Sequence, residues 1–291
     1  MKKIILAFDG IHFSEGAFEF ARRLNELQPL LLTGVFLPQG ETDESWRYAS
    51  IADGSDIPQM ENSKSRQVRQ IIDRFESRCL ENGIDFRVHK DFTNIDKPEL
   101  KNEGLFSDPF RELAMPELRR ESCYADLLIL GSEVFYENMG THSPSQYLKD
   151  VLHDVKCPVL LLPEKLNFPE SIILAYDGTE DSIFAIKQFA YLFPELTNLP
   201  ALLVYANEDA EADFPDKIPM EELLARHFID LTLFKLDADP KKQFSSWISR
   251  RKSAMLVSGS YGRSGLSAFF KKSFVNEIIA DHLLPVFVAH K

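Results

Sequence analysis

Residues 4–10 read IILAFDG and residues 172–178 read IILAYDG, an apolar run closed by Asp-Gly, with Asp9 and Asp177 168 positions apart. An internal repeat of this kind decides the fold before any single residue does. Two further pairs follow in the same order: DLLILGS (126–132) against AMLVSGS (254–260), and CPVLLLP (157–163) against LPVFVAH (284–290). Gly131 and Cys157 are 26 residues apart, Gly259 and Leu284 25. From the Asp-Gly turn to the Gly-Ser strand the halves differ, 122 residues against 82, so the first half carries about forty more residues. The surplus falls in two polar segments with Gly and Pro, 39–65 and 92–109, as connections should. The repeat divides the chain into 1–166 and 167–291, in line with about 150 residues per domain for a chain of 291.

Within each unit short apolar runs alternate with helical patterns, the signature of βαβ units and a parallel sheet. Phe13, Ala17, Phe20, Ala21 and Leu24 share one helical face, as do Ile186, Phe189, Ala190 and Phe193. Val68, Ile71, Ile72 and Phe75 mark a further helix; its counterpart, MEELLARH, is much shorter. Leu148, Val151, Leu152 and Val155 mark the last helix of the first half, and Val275, Ile278, Ile279 and His282 that of the second. LLILG, VLLLP and LLVY are continuous apolar runs, as strands covered on both faces must be. The fold class that follows is α/β, two tandem doubly wound parallel-sheet domains.

Composition narrows the function. Hydrophobic residues make up 44% and charged residues 27%, ordinary for a globular chain. Thirty-three basic against 45 acidic residues give a net charge of −12, which disfavours nucleic acid and anionic membranes as partners. Cys79, Cys123 and Cys157 are odd in number and widely spaced, so they form neither a disulfide framework nor a metal pair. The first apolar run is too short for a signal peptide and no run reaches a membrane span, so a cytoplasmic protein is expected.

Two segments of the second half fall beyond the carboxyl ends of strands, where open parallel sheets bind ligands. In AYDGTEDS, Asp177 closes the strand, Gly178 allows a tight turn and Thr179 can cap the helix. Glu180 and Asp181 make this turn acidic and repel phosphate, so Asp177 suits an adenine amino group or a ribose hydroxyl; a turn-forming Asp fits equally well. In SGSYGRSGLSAFFKKSF, Gly259, Gly262 and Gly265 follow a strand and Ser273 opens the last helix. Close backbone approach and a helix start make this a phosphate cradle, with plain loop flexibility as the alternative. Arg263 lies inside the loop, where a guanidinium can fork onto a phosphate. Neither a Walker loop nor a Rossmann fingerprint is present. No H-E-x-x-H or G-x-S-x-G occurs, and the seven histidines read as scattered. Glu208, Asp209, Glu211, Asp213 and Asp216 offer Mg²⁺ ligands or, more simply, a solvated loop.

With these motifs in place, the whole chain resembles a tandem universal stress protein, two such domains fused head to tail. The residues behind the resemblance are LAFDG and LAYDG, the two Gly-Ser strands, VSGSYGRSG, and the terminal strands CPVLLLP and LPVFVAH. It implies the adenine nucleotide alpha-hydrolase-like fold, pseudo-dimer packing of the two domains within one chain with a homodimer also open, a stress-response role, and binding of adenine nucleotide rather than catalysis. The family's ATP signature is Gly, two residues, Gly, nine residues, then Gly and Ser or Thr. Here Gly259 and Gly262 match, but Lys272 and Ser273 stand at the closing pair. Lys272 costs about 1–2 kcal/mol if that backbone is left-handed, while a charge-assisted phosphate contact contributes about 1.5–3 kcal/mol, so both signs stay open. In the first half Gly131 matches, Val134 replaces the second glycine, and Ser145 and Gln146 close the motif one residue late. The expectation is ATP, with or without Mg²⁺, held in the second half by Asp177, Gly259, Gly262, Arg263, Lys272 and Ser273, and a first half that binds no triphosphate. The rival is an interaction scaffold that has lost nucleotide binding in both halves.

Overall fold

The computed structural model describes residues 1–10, 12–36, 63–89, 115–131, 151–207, 213–237, 247–248, 251, 253–259 and 284–289. In chain order its first half holds β1 (Lys2–Phe8), α1 (Glu15–Leu27), β2 (Leu30–Phe36), α2 (Ser63–Glu81), β3 (Asp85–His89), α3 (Met115–Ser122), β4 (Leu127–Gly131) and β5 (Val159–Leu162). The second holds β6 (Ser171–Tyr176), α4 (Glu180–Leu192), β7 (Ala201–Asn207), α5 (Lys217–Leu224), β8 (Leu231–Asp237), β9 (Ala254–Ser258) and β10 (Val286–Val288).

All ten strands form one sheet, ordered β3-β2-β1-β4-β5-β10-β9-β6-β7-β8. Read outward from the middle, β5-β4-β1-β2-β3 on one side matches β10-β9-β6-β7-β8 on the other. Pairing is parallel throughout each set of five. The two sets meet in an antiparallel pair, Val286 opposite Leu161 and Val288 opposite Val159. The two parallel sets expected from the sequence join into one sheet, because the short apolar terminal strands VLLL and VFV, fully buried, satisfy each other's edge hydrogen bonds.

Alternation along β1 shows why both faces are covered. Ile4, Leu6 and Phe8 belong to one core with α1, α2, α4 and α5, while Ile5 and Ala7 belong to another with Met115 and Leu118 of α3, Val151, Leu152, Val155 and Ile248. The helical stripes land where periodicity places them, with Ala17, Phe20, Ala21 and Leu24 buried, as are Ile186, Phe189, Ala190 and Phe193. Phe13 alone departs, since it precedes the Ser14 cap of α1 and packs on Phe8 from outside the helix. The helix matching MEELLARH is α5, eight residues against nineteen in α2. The final helix marked by Val275 to His282 lies outside the described residues. No helix among the described residues is long and apolar enough to cross a membrane.

Candidate functional site

The Asp-Gly turns end the central strand of each set of five, β1 or β6, between an outer neighbour (β2 or β7) and an inner one (β4 or β9). This divergence is where doubly wound sheets open a crevice. In the second half Gly178 adopts φ +79, which turns the chain sharply into α4. Thr179 caps the helix, accepting from the Ser182 backbone N–H at 3.3 Å, and Ser182 Oγ donates to the Thr179 carbonyl at 2.8 Å. Asp177 closes the turn from the other side: its Oδ1 accepts from the Thr179 backbone N–H at 3.0 Å and from Thr179 Oγ1 at 2.6 Å. Its Oδ2 is buried and has no hydrogen-bond partner among the described residues.

Beside this carboxylate stands a wall of rings. Tyr176 and Tyr205 are register partners on β6 and β7, with centroids 6.4 Å apart, and Tyr205 meets Phe214 at 5.3 Å. The Tyr176 hydroxyl donates to the Pro215 carbonyl at 2.8 Å. Burial, then the charges of Asp216 and Asp177, raise its pKa above the ordinary tyrosine value. Pro215 also roofs the turn, since a β-carbon on Gly178 would meet its Cβ at 2.9 Å.

Gly259 follows β9 and lies against the first turn of α4, where a β-carbon would come within 2.2 Å of the Asp181 carbonyl. Its lack of a side chain thus brings the helix start and the end of β9 together. Gly262, Arg263, Lys272 and Ser273 lie outside the described residues, as do Val134, Ser145 and Gln146. Of the acidic run, Asp213 and Asp216 are described; Asp216 precedes α5 in a left-handed conformation, φ 45. Neither joins a metal-competent group among the described residues.

The first half has the same frame with different chemistry. Asp9 is 1% exposed, its Oδ1 accepts the His12 backbone N–H at 2.7 Å, and its Oδ2 lies 3.0 Å from His12 Nδ1. Both carboxylate oxygens are engaged by the chain itself. The position of the tyrosine pair is held by Phe8 and Phe36, register partners stacked at 4.9 Å, with Phe13 and Phe75 packed on Phe8 at 5.3 and 5.7 Å. Gly131 abuts α1 as Gly259 abuts α4, with Ser14 Oγ 2.7 Å from where a β-carbon would stand. Ser14 caps α1, and Glu164, just past β5, accepts from Ser14 Oγ and from the Glu15 backbone N–H, both at 2.8 Å.

No family model and no curated protein matches this chain. Solved structures do. A universal stress protein from Archaeoglobus fulgidus is similar over 100% of this chain and 96% of its own, with TM-score 0.64 and 18% identity. The fold is that of the universal stress proteins. A putative universal stress protein from Pseudomonas aeruginosa matches at TM-score 0.52 and 12% identity, over 100% of this chain and 93% of that one. A functionally unknown protein from the same species matches at 0.51 and 13%, over 100% and 92%. At such low identities it is the structural likeness, which spans the whole chain, that shows the fold.

Sequence reasoning missed one constellation on that fold. His89 ends β3, Glu117 and Glu121 lie one turn apart on α3, and their ligand-capable atoms lie within 4.8 Å of one another. The i, i+4 carboxylates were visible in the sequence, but nothing in it tied them to a histidine nearly thirty residues earlier.

Proposed function

We propose that the chain is a two-domain universal stress protein, residues 1–166 and 167–291, that binds ATP, with or without Mg²⁺, in its second half. It acts in the stress response by binding rather than turnover. The observation that carries this reading is Asp177: a buried carboxylate oxygen with no partner among the described residues, at the crevice of the second half. An unmet buried acceptor costs about 1–3 kcal/mol, which an adenine amino or ribose hydroxyl donor offsets on binding. Asp9 supports the division of labour, because His12 engages both its oxygens. The matching strand order on the two sides of the β5–β10 pair supports two domains that pack within one chain as a pseudo-dimer.

On this reading the loop after Gly259 cradles the phosphates through Gly262, Arg263, Lys272 and Ser273. A Gly262→Val variant should weaken ATP binding at least tenfold, read by equilibrium titration, whereas Val134→Gly should leave it unchanged. Unaltered affinity in Gly262→Val would refute the loop assignment. One observation favours the scaffold reading: helix packing alone accounts for Gly259. Deletion of 39–65 separates the two, since a scaffold loses its partners and a nucleotide sensor keeps its ligand.

A further inference from the structure

A second site lies on the far side of the first half, at the edge of the sheet. His89 is the last residue of edge strand β3, and Glu117 and Glu121 share one face of α3. Their side chains are little exposed, 6% for Glu117, 11% for Glu121 and 23% for His89. Lys3 of β1 fixes Glu121 through Oε2 at 3.1 Å, leaving Oε1 on the side of His89, 3.7 Å from its Nδ1.

The contacts among these groups cannot all be satisfied by protons. Nε2 of His89 lies 2.5 Å from Glu117 Oε1 and 2.8 Å from the Arg120 Nη2, which is itself 2.7 Å from Glu117 Oε1. If Nε2 carries a proton it donates to the carboxylate and opposes the guanidinium N–H. If it does not, it accepts from Arg120 and turns its lone pair on the carboxylate lone pair. Arg120 Nη2 is also 3.8 Å from Glu121 Oε1, so one imidazole nitrogen and two carboxylate oxygens converge on a single cationic atom. Arg120 itself is 47% exposed on its side chain.

We propose that this is a divalent metal site, in which Zn²⁺ displaces the Arg120 guanidinium and is held by His89 Nε2, Glu117 and Glu121. A metal ion receives lone pairs from all three ligands at once, which removes the conflict that a proton leaves. One imidazole with two carboxylates suits Zn²⁺, whereas Mg²⁺ prefers oxygen alone and octahedral geometry. Zn²⁺ ligand distances of about 2.0–2.2 Å set tetrahedral ligand atoms about 3.4 Å apart, so His89 Nε2 and Glu117 Oε1, 2.5 Å apart, open by about 1 Å around the ion while Glu121 turns in by a change of rotamer. A water completes the tetrahedron. Two carboxylates neutralise the ion, and because Arg120 leaves as it enters, the pocket gains one positive charge rather than two.

Equilibrium dialysis of the full chain against ZnCl₂, after chelation and with metal read by atomic absorption, tests this. One Zn²⁺ per chain is expected, not displaced by millimolar Mg²⁺. His89→Ala and Glu117→Gln should each weaken it by roughly tenfold or more. Arg120→Ala should tighten it severalfold, because the competing cation is gone, and no loss of folding can mimic that gain. No binding by the wild type, unaltered binding in a folded His89→Ala chain, or unaltered or weaker binding in Arg120→Ala would each overturn the proposal and leave a structural ion-pair cluster.

Discussion

Gly259 packs so closely on the peptide after Asp181 that a β-carbon at 259 would lie 2.2 Å from the Asp181 carbonyl carbon and oxygen and 2.5 Å from the Ser182 nitrogen. All three atoms are backbone of the first turn of α4, where nothing can rotate aside. Gly259→Ala should therefore destabilise the fold by about 2 kcal/mol or more, within the range for forced overpacking. Gly131→Ala, whose new methyl meets mainly the Ser14 hydroxyl, should cost less, because a side chain can give way. Urea denaturation of the two variants checks the order; equal losses would contradict it.

Glu164 couples the end of β5 to the start of α1. Its two oxygens take the Ser14 hydroxyl and the Glu15 N–H at the positive end of the helix dipole. Glu164→Ala should lower stability by about 1 kcal/mol, the usual worth of a cap, with Glu164→Gln retaining part of it. Thermal melting should rank wild type, Gln and Ala in that order.

The three thiols differ in burial. Cys79 and Cys157 are buried and burial pushes each thiol up to about 12, whereas Cys123 is exposed. A thiol reagent at pH 8 should label one cysteine quickly in the native chain and all three after unfolding. The sign of the linkage follows: between the ordinary 9.0 and about 12 the folded chain holds protons that the unfolded chain has lost. Their contribution is full below pH 9 and disappears as pH rises towards 12. The urea midpoint should fall across that window, and less steeply when both buried cysteines are replaced by Ala.

Much of the fold was legible because it is written twice. The IILAFDG and IILAYDG strands, the two Gly-Ser strands and the helical stripes at Ala17 and Ile186 all sit where alternation and 3.6-residue periodicity place them. The antiparallel union of β5 with β10 was not legible, since pairing partners leave no local mark when both strands are uniformly apolar. At the candidate site, the sequence pointed to Asp177 and Gly259, yet only geometry shows the orphaned Oδ2 of the first and the helix backbone against the second. His12 is the clearest omission. Nothing in FDGIHF distinguishes it from any surface histidine, and its role as the internal partner of Asp9 depends on the turn that Gly10 makes at φ 80. The cluster of His89, Glu117 and Glu121 escaped for the same reason: its members are neighbours only across the sheet and α3.

The central claim is that one half of the chain binds nucleotide and the other does not, and it turns on Asp177 and Asp9. An equilibrium titration of the full chain with ATP and Mg²⁺ reads stoichiometry and affinity together. The account predicts one saturable site per chain, weakened at least tenfold by Asp177→Ala and left unchanged by Asp9→Ala in a chain that stays folded. Two sites per chain, no saturable binding, or a site that ignores Asp177→Ala would contradict it.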